Sequence, residues 1–209
     1  MGKLFDPESS IMQGLSKAAD LIILNLLTLL CAVPVVTLGA AAAALHDSVG
    51  RMLREEGGGV LKTYVSAFRS NFKKATVLWL ILLACLLLLA FSALFYLQNA
   101  IPGGRILLTL CTAFFILWNM ALVWVFPLQA RFENTVKNTL KNALLCAIAY
   151  LPRTVAAAGL KLLPWALLFY RTDLFIRIGY VWLLIWFALA AWLTAQLLKK
   201  PLQKLESAE

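Results

Sequence analysis

The chain has 209 residues, of which 62% are hydrophobic and only 14% are charged. A soluble domain has about 45–50% apolar and about 25% charged residues, so this composition excludes an ordinary soluble fold and indicates a membrane protein. The net charge of +9 would suggest a nucleic-acid partner in a soluble protein. Here the basic residues flank apolar segments, as they do where membrane helices meet anionic headgroups, and we expect no nucleic-acid partner.

Five apolar segments follow one another along the chain. A helix needs about 20 mostly apolar residues to cross a bilayer, and backbone groups in hydrocarbon must be hydrogen-bonded within the helix itself. The sequence therefore predicts an all-α, polytopic transmembrane bundle that forms a single membrane domain over residues 1–209. The predicted spans are 20–46, 75–98, 105–128, 154–170 and 177–198. The fourth is the shortest, so four spans with a re-entrant or surface portion over 142–170 remain an alternative.

The first predicted span contains polar residues and a proline. Asp20 lies at its mouth, either as a helix-start acid favoured by the helix dipole or as an intramembrane acid that faces a partner or cavity. Pro34 predicts a kink, which serves either helix packing or a substrate path. Asn25 and Thr37 are placed to satisfy the freed backbone groups or to hydrogen-bond across helices. His46, at the end of this span, is expected to be a solvated cap residue.

Two basic amphipathic segments follow the first and third predicted spans. Over residues 60–72 and 132–144, apolar side chains recur at helical spacing beside lysines and arginines. This pattern predicts cytoplasmic helices that lie in the plane of the membrane interface, in contact with the lipid bilayer. The interfacial basic residues are Lys62, Arg69, Lys73, Lys74 and Arg153.

The later spans contain few polar groups. Asn119 is expected to hydrogen-bond between helices. Lys161 lies inside the fourth predicted span, where it either pairs with Asp20 or extends its ammonium group to the interface. Small residues form faces over 39–44 and 188–195, which predicts close helix contact within one subunit or with another protein.

The distribution of lysine and arginine predicts the orientation. With five spans, thirteen basic residues lie on the face that holds the segments 47–74, 129–153 and 199–204, and five lie on the other. Those five are Lys3, Lys17, Arg105, Arg171 and Arg177. Because cytoplasmic loops are rich in basic residues, we expect a bacterial plasma-membrane protein with its N-terminus outside and its C-terminus in the cytoplasm.

Catalytic motifs are not evident in the sequence. The single histidine has no HExxH motif around it, the four cysteines lie inside apolar segments, and no GxxxxGK[ST] motif for ATP binding is present. We therefore expect no enzyme activity, no cofactor and no metal site.

The polar positions of the first span follow the order D-x4-N-x8-P-x2-T-x-G, formed by Asp20, Asn25, Pro34, Thr37 and Gly39. This pattern resembles the opening of the YesL family of bacterial membrane proteins. The stretches 68–76 and 151–154 are similar to later parts of that family. The resemblance covers most of the chain, although Lys161 stands where a purely aliphatic span would be expected.

The resemblance implies a role beside carbohydrate ABC importers, because YesL-like proteins are typically encoded next to importer components. It carries no catalytic residues over to this chain. The leading hypothesis is a non-catalytic accessory membrane protein of such an importer, with ABC permease subunits as partners. The alternative is an independent small transporter or channel, whose path would be lined by the polar residues of the spans.

Overall fold

The computed structural model describes residues 10–99 and 103–207, and this part of the chain folds as helices without strands. The predicted all-α polytopic bundle is thus confirmed. The helices are α1 (Ser10–Ala32), α2 (Leu38–Leu53), α3 (Val60–Gln98), α4 (Gly104–Arg131), α5 (Val136–Ala149), α6 (Leu151–Tyr170), α7 (Thr172–Arg177) and α8 (Gly179–Glu206).

Helices α1 and α2 form an antiparallel hairpin, where the sequence predicted one continuous span over 20–46. The chain leaves the helix after Ala32 because the residue before a proline is pushed out of the helical conformation, and Pro34 itself cannot donate a backbone hydrogen bond. The Lys17 ammonium lies 3.9 Å from the Glu55 carboxylate, so the start of α1 and the end of α2 are at the same end of the hairpin. The predicted kink is therefore a reversal.

The central position of the bundle belongs to α2, which packs on α1, α3, α4 and α8. Its alanines favour a helix and allow neighbouring backbones to approach closely. Ala40, Ala43 and Ala44 are fully buried within this chain, as is Ala188 of α8. The small-residue faces over 39–44 and 188–195 therefore serve contacts inside the subunit, which is one of the two alternatives that the sequence left open.

Helix α3 is one uninterrupted helix of 39 residues, where an interfacial helix followed by a separate span was predicted. Its length of about 58 Å exceeds the hydrocarbon thickness of about 30 Å. The basic segment 60–74 continues the axis of the apolar segment 75–98 and does not turn into the interface plane. Tyr64 and Ala67, both buried, pack the basic segment into the hydrophobic cluster that α1, α2 and α8 form.

Helix α4 returns antiparallel to α3, since the Trp118 indole donates to the Leu82 carbonyl (2.9 Å) and Gln129 donates to Asn71 (3.3 Å). Helices α5 and α6 meet at a bend of 105°. In the described residues, four helices are long and apolar enough to cross a membrane, or five if this bent pair counts as one span. Four or five spans were the two alternatives that the sequence left open.

Candidate functional site

Asn25 of α1 joins the first helix to the last. Its side-chain amide donates to the Leu183 carbonyl (2.7 Å), and its oxygen accepts from the Ala188 N–H (3.0 Å). These backbone groups are five residues apart, and α8 forms a π-helical turn over Trp182–Trp186 at this place. Asn25 is fully buried and stands between the two backbone groups. Asn25 therefore joins α1 to α8 at the place where the π-helical turn interrupts the regular backbone hydrogen bonds of α8.

Thr37 closes the turn between α1 and α2. Its hydroxyl proton is shared between the carbonyl oxygens of Cys31 (2.5 Å) and Pro34 (2.8 Å). Cys31 lies in the last turn of α1, where carbonyls lack helical partners, and the Pro34 carbonyl also accepts from the Thr37 N–H (2.9 Å). The Trp79 indole of α3 donates to the Val35 carbonyl in the same turn (2.7 Å). Pro34 and Thr37 are therefore parts of a turn that is hydrogen-bonded to α3.

Gly39 is the point where α2 meets α3 without space for a side chain. A Cβ atom at this position would lie 2.3 Å from the Trp79 Cβ and 2.4 Å from the Ala75 carbonyl oxygen. Both distances are far below van der Waals contact, so only glycine fits. The residues from Asn25 to Gly39 thus belong to one hairpin. Asn25 is the clasp that joins α1 to α8, Pro34 and Thr37 form the turn, and Gly39 marks the crossing of α2 and α3.

The predicted Asp20–Lys161 pair does not form in the described residues. Asp20 lies half-buried in a cavity at the start of α1. Lys161 is half-buried in α6 and forms no ion pair with a described residue. The two groups thus belong to different parts of the bundle.

The other predicted positions are dispersed. Asn119 donates to the Phe115 carbonyl of its own helix (3.0 Å) and makes no bond to a second helix within the described residues. Lys62, Arg69, Lys73 and Lys74 are exposed along α3, and Arg153 is half-buried at the start of α6. Because of the spacing of seven and four residues, Lys62, Arg69 and Lys73 form a basic stripe on one face of α3.

A first cavity, of about 720 Å³, lies where α1 begins and α2 ends. Its charged lining residues are Lys17, Asp20, Arg51, Glu55 and Glu56. Lys17 pairs with Glu55 in this cavity, whereas no described cation pairs with the Asp20 carboxylate. The first cavity therefore has an excess of negative charge.

A second cavity, of about 620 Å³, lies on the other side of the end of α2, against α4 and α8. Its charged or titratable lining residues are His46, Asp47, Arg51, Arg54, Glu56, Arg131, Lys199 and Glu206. Three ion pairs cross or border it, Arg51–Asp47 (3.3 Å), Arg54–Glu56 (2.5 Å) and Arg131–Glu206. The hydrogen bond from Arg54 lowers the pKa of the Glu56 carboxyl below its ordinary value of 4.5.

His46 is the principal correction to the site predictions. It is 9% exposed and lines the second cavity from α2, whereas the sequence predicted a solvated cap. Arg131 and Glu206 were not predicted as site residues either. They are 75 positions apart, and no local pattern indicates that they meet.

The candidate site is thus the charged end of the bundle, where two cavities share Arg51 and Glu56. In the described residues, no three His, Cys, Asp or Glu side chains are grouped closely enough to hold a metal ion. The arrangement supplies hydrogen-bond donors and fixed charges, which suit binding of a polar ligand.

Comparison with known protein families gives a match to the first part of the chain. Residues 21–93 match the model of a family described as protein of unknown function, DUF624. This segment contains the clasp, turn and crossing of the α1–α2 hairpin and most of α3. No curated protein and no solved structure matches the chain.

Proposed function

We propose that this protein is a non-catalytic accessory membrane protein of a carbohydrate ABC importer, bound to the permease subunits through apolar helix faces within the bilayer. The DUF624 match over 21–93 supports this proposal, because YesL-like proteins belong to that family. The sugar link comes from the YesL resemblance alone. The chain's own structure bears on the manner of contact.

The observation that carries the proposal is the uncovered half of the α3–α4 hairpin. In α3 no described residue after Leu82 is buried. In α4 the first residue, Gly104, is buried, and the next buried residue is Ala121. Large apolar side chains such as Leu88, Phe91 and Phe114 are 59–70% exposed. This half of the hairpin extends away from the rest of the bundle and offers a surface for lipid and for helices of a partner.

The proposal places the charged end of the bundle in the cytoplasm of a bacterium. The pairing of Lys17 with Glu55 brings the start of α1 to the face that holds the 54–59 loop, and Arg131–Glu206 brings the end of α8 to the end of α4. With this orientation, fourteen of the eighteen basic residues between 10 and 207 are cytoplasmic, Arg105, Arg171 and Arg177 are outside, and Lys161 lies within α6. Lys3 lies outside the described residues. The asymmetry is larger than that of the predicted topology with an external N-terminus.

Labelling of single cysteines tests the orientation. In a variant without the four natural cysteines, cysteine would replace Lys17, Gly58 or Gly103 one at a time. A membrane-impermeant maleimide applied to intact cells should label only the Gly103 position. Labelling of the Lys17 position in intact cells would instead support the topology predicted from the sequence, in which the N-terminus is outside.

Affinity purification tests the function. The tagged chain would be isolated from its native host in a mild detergent and its partners identified by mass spectrometry. We expect stoichiometric ABC permease subunits, which are lost in the double variant Phe91→Ala/Phe114→Ala. They should remain with Phe169→Ala, which removes an even more exposed ring from α6. Recovery of the chain alone, across several detergents and growth sugars, would contradict the proposal.

The transporter alternative receives less support from the positions of its proposed lining. Asp20 lines the first cavity, but Asn25, Thr37, Asn119 and Lys161 line neither of the two cavities. Asn25 and Thr37 already bond to backbone groups. Solute flux in proteoliposomes that is lost with Asp20→Ala would reinstate this alternative.

A further inference from the structure

The second cavity differs from the first in the sign of its unpaired charge. Its three carboxylates, those of Asp47, Glu56 and Glu206, are each engaged by an arginine. No carboxylate in the described part of the chain lies within ion-pairing distance of the Lys199 ammonium, which also lines the cavity. The excess charge in this cavity is therefore positive.

His46 supplies a polar group at the second cavity. Its side chain is nine-tenths buried, and no hydrogen bond to the imidazole is formed within residues 10–99 and 103–207. Its nitrogens are not among the fully enclosed polar atoms without a partner, which belong to Ser48, Thr76 and Thr194, so they keep some accessible surface. An anion in the cavity would provide a partner for the Lys199 ammonium and for an imidazole N–H.

The arginines of the cavity are already oriented. Arg131 donates two hydrogen bonds to Glu206, from Nε and Nη2. Arg51 donates one to Asp47 from Nε, and its Nη2 lies 3.3 Å from the other Asp47 oxygen. A guanidinium group has five N–H donors in a fixed plane, so each keeps donors that its carboxylate does not use. Held in this way, the groups lose little side-chain entropy when a ligand arrives.

We propose that the second cavity is a binding site for a phosphate group, with Lys199 and His46 as its contacts and Arg51, Arg54 and Arg131 as the surrounding donors. A cavity of about 620 Å³ has the size of a small-ligand site. Arginine forks and a lysine match the several acceptor oxygens of a phosphate group. The group belongs either to a soluble phosphate ester or to an anionic lipid headgroup, and Leu53, Ala195 and Leu202 in the lining accommodate carbon atoms of either.

Two adjacent lysines provide the test. Lys199 lines the cavity, whereas Lys200, which is also exposed, does not. Lys199→Gln and Lys200→Gln remove the same charge from the same helix turn, and neither residue is buried, so both variants should fold. Binding would be measured by calorimetry with glycerol 3-phosphate on the protein in a neutral detergent. Retained phosphatidylglycerol would be counted by native mass spectrometry of the full chain.

We expect saturable binding of one of the two probes. Lys199→Gln should weaken it by about tenfold, as the loss of a charged hydrogen bond does, and Lys200→Gln should leave it within about twofold. His46→Gln keeps a polar side chain and should also weaken binding. Saturable glycerol 3-phosphate binding would assign a soluble ester, and one retained phosphatidylglycerol would assign a lipid headgroup. Absence of saturable binding to both probes, or equal effects of the two lysine variants, would overturn the proposal.

Discussion

Gly39 and Asn25 show how single side-chain positions decide the helix packing of this protein. At Gly39 the missing side chain allows α2 to touch α3, and at Asn25 one amide replaces backbone partners in α8. In both cases the neighbouring atoms belong to the backbone or to a Cβ, so they cannot move aside without shifting a helix. Substitutions there should affect stability more than chemically similar substitutions elsewhere.

Replacement of Gly39 by alanine should destabilise the fold. The added methyl group would overlap the Trp79 Cβ and the Ala75 carbonyl, and such overpacking costs about 1–3 kcal/mol. Thermal unfolding of the protein in detergent would measure the loss.

Gly50→Ala in the same helix is the matched control. A Cβ atom at position 50 would lie 3.5 Å from the end of the flexible Arg54 side chain. Alanine is favoured over glycine within a helix by about 1 kcal/mol, so this variant should be as stable as the parent or more stable. Equal destabilisation by the two substitutions would refute a special steric role for Gly39.

Replacement of Asn25 by aspartate or leucine should also destabilise the protein. Aspartate cannot donate to the Leu183 carbonyl, and leucine leaves both Leu183 and Ala188 without their side-chain partner. The expected cost is about 1–2 kcal/mol, the range for polar contacts between membrane helices. Asn119→Leu should cost less because, among residues 10–99 and 103–207, Asn119 bonds only within its own helix. A similar loss for both positions would show that Asn25 does not act through α8.

At the level of the helices, the main feature that the sequence did not reveal is that α3 is continuous. The basic stripe of Lys62, Arg69 and Lys73 is typical of a helix that lies on a membrane surface. The opposite face, however, carries Tyr64 and Ala67, which α1, α2 and α8 bury. Because the apolar face is covered by protein, the segment has no need to lie on lipid, and the helix continues straight into the apolar region.

Spin labels would measure the continuity of α3. Labels at positions 62 and 97 should be about 52 Å apart, from a rise of about 1.5 Å per residue. A right-angled bend near Lys74 would shorten the distance to about 39 Å by the same geometry. Labels at 105 and 130, both within α4, provide a reference distance of about 38 Å.

The helix reversal at Pro34 shows a similar limit of sequence reasoning. The uncharged stretch from 21 to 45 is long enough to cross a membrane once, and a proline inside it predicts a kink. The reversal follows from contacts with distant residues, since Trp79 holds the Val35 carbonyl and Gly39 packs on Ala75. Composition gives the helical class and the approximate spans, but it does not specify these contacts.

Across the bundle, ion pairs join helix ends that are far apart in sequence. Lys17–Glu55 links the start of α1 to the loop after α2, and Arg131–Glu206 links α4 to the end of α8. The individual acids and bases are visible in the sequence, but their partners are not. For this reason the abundance of basic residues in these segments could be predicted, whereas their two shared cavities could not.

A double-mutant cycle would measure how strongly Arg131 and Glu206 hold the helix ends together. Arg131→Gln and Glu206→Gln should each lower the free energy of unfolding, and the double variant should lose less than the sum of the two. The expected coupling is about 0.5–1 kcal/mol, because both side chains are partly exposed. Strict additivity of the two losses would show that the pair contributes nothing to stability.

The clasp at Asn25 also has a consequence for biosynthesis. Its partners Leu183 and Ala188 are made 158 and 163 residues later. At about 5–20 residues per second, the ribosome needs roughly 8–32 s to reach them. During that interval the first helix holds a polar amide without its native partner, while Trp79 and Ala75, which contact the turn and Gly39, are already made. The α1–α2 hairpin can therefore pack on α3 first, but its attachment to α8 has to be the last step of folding.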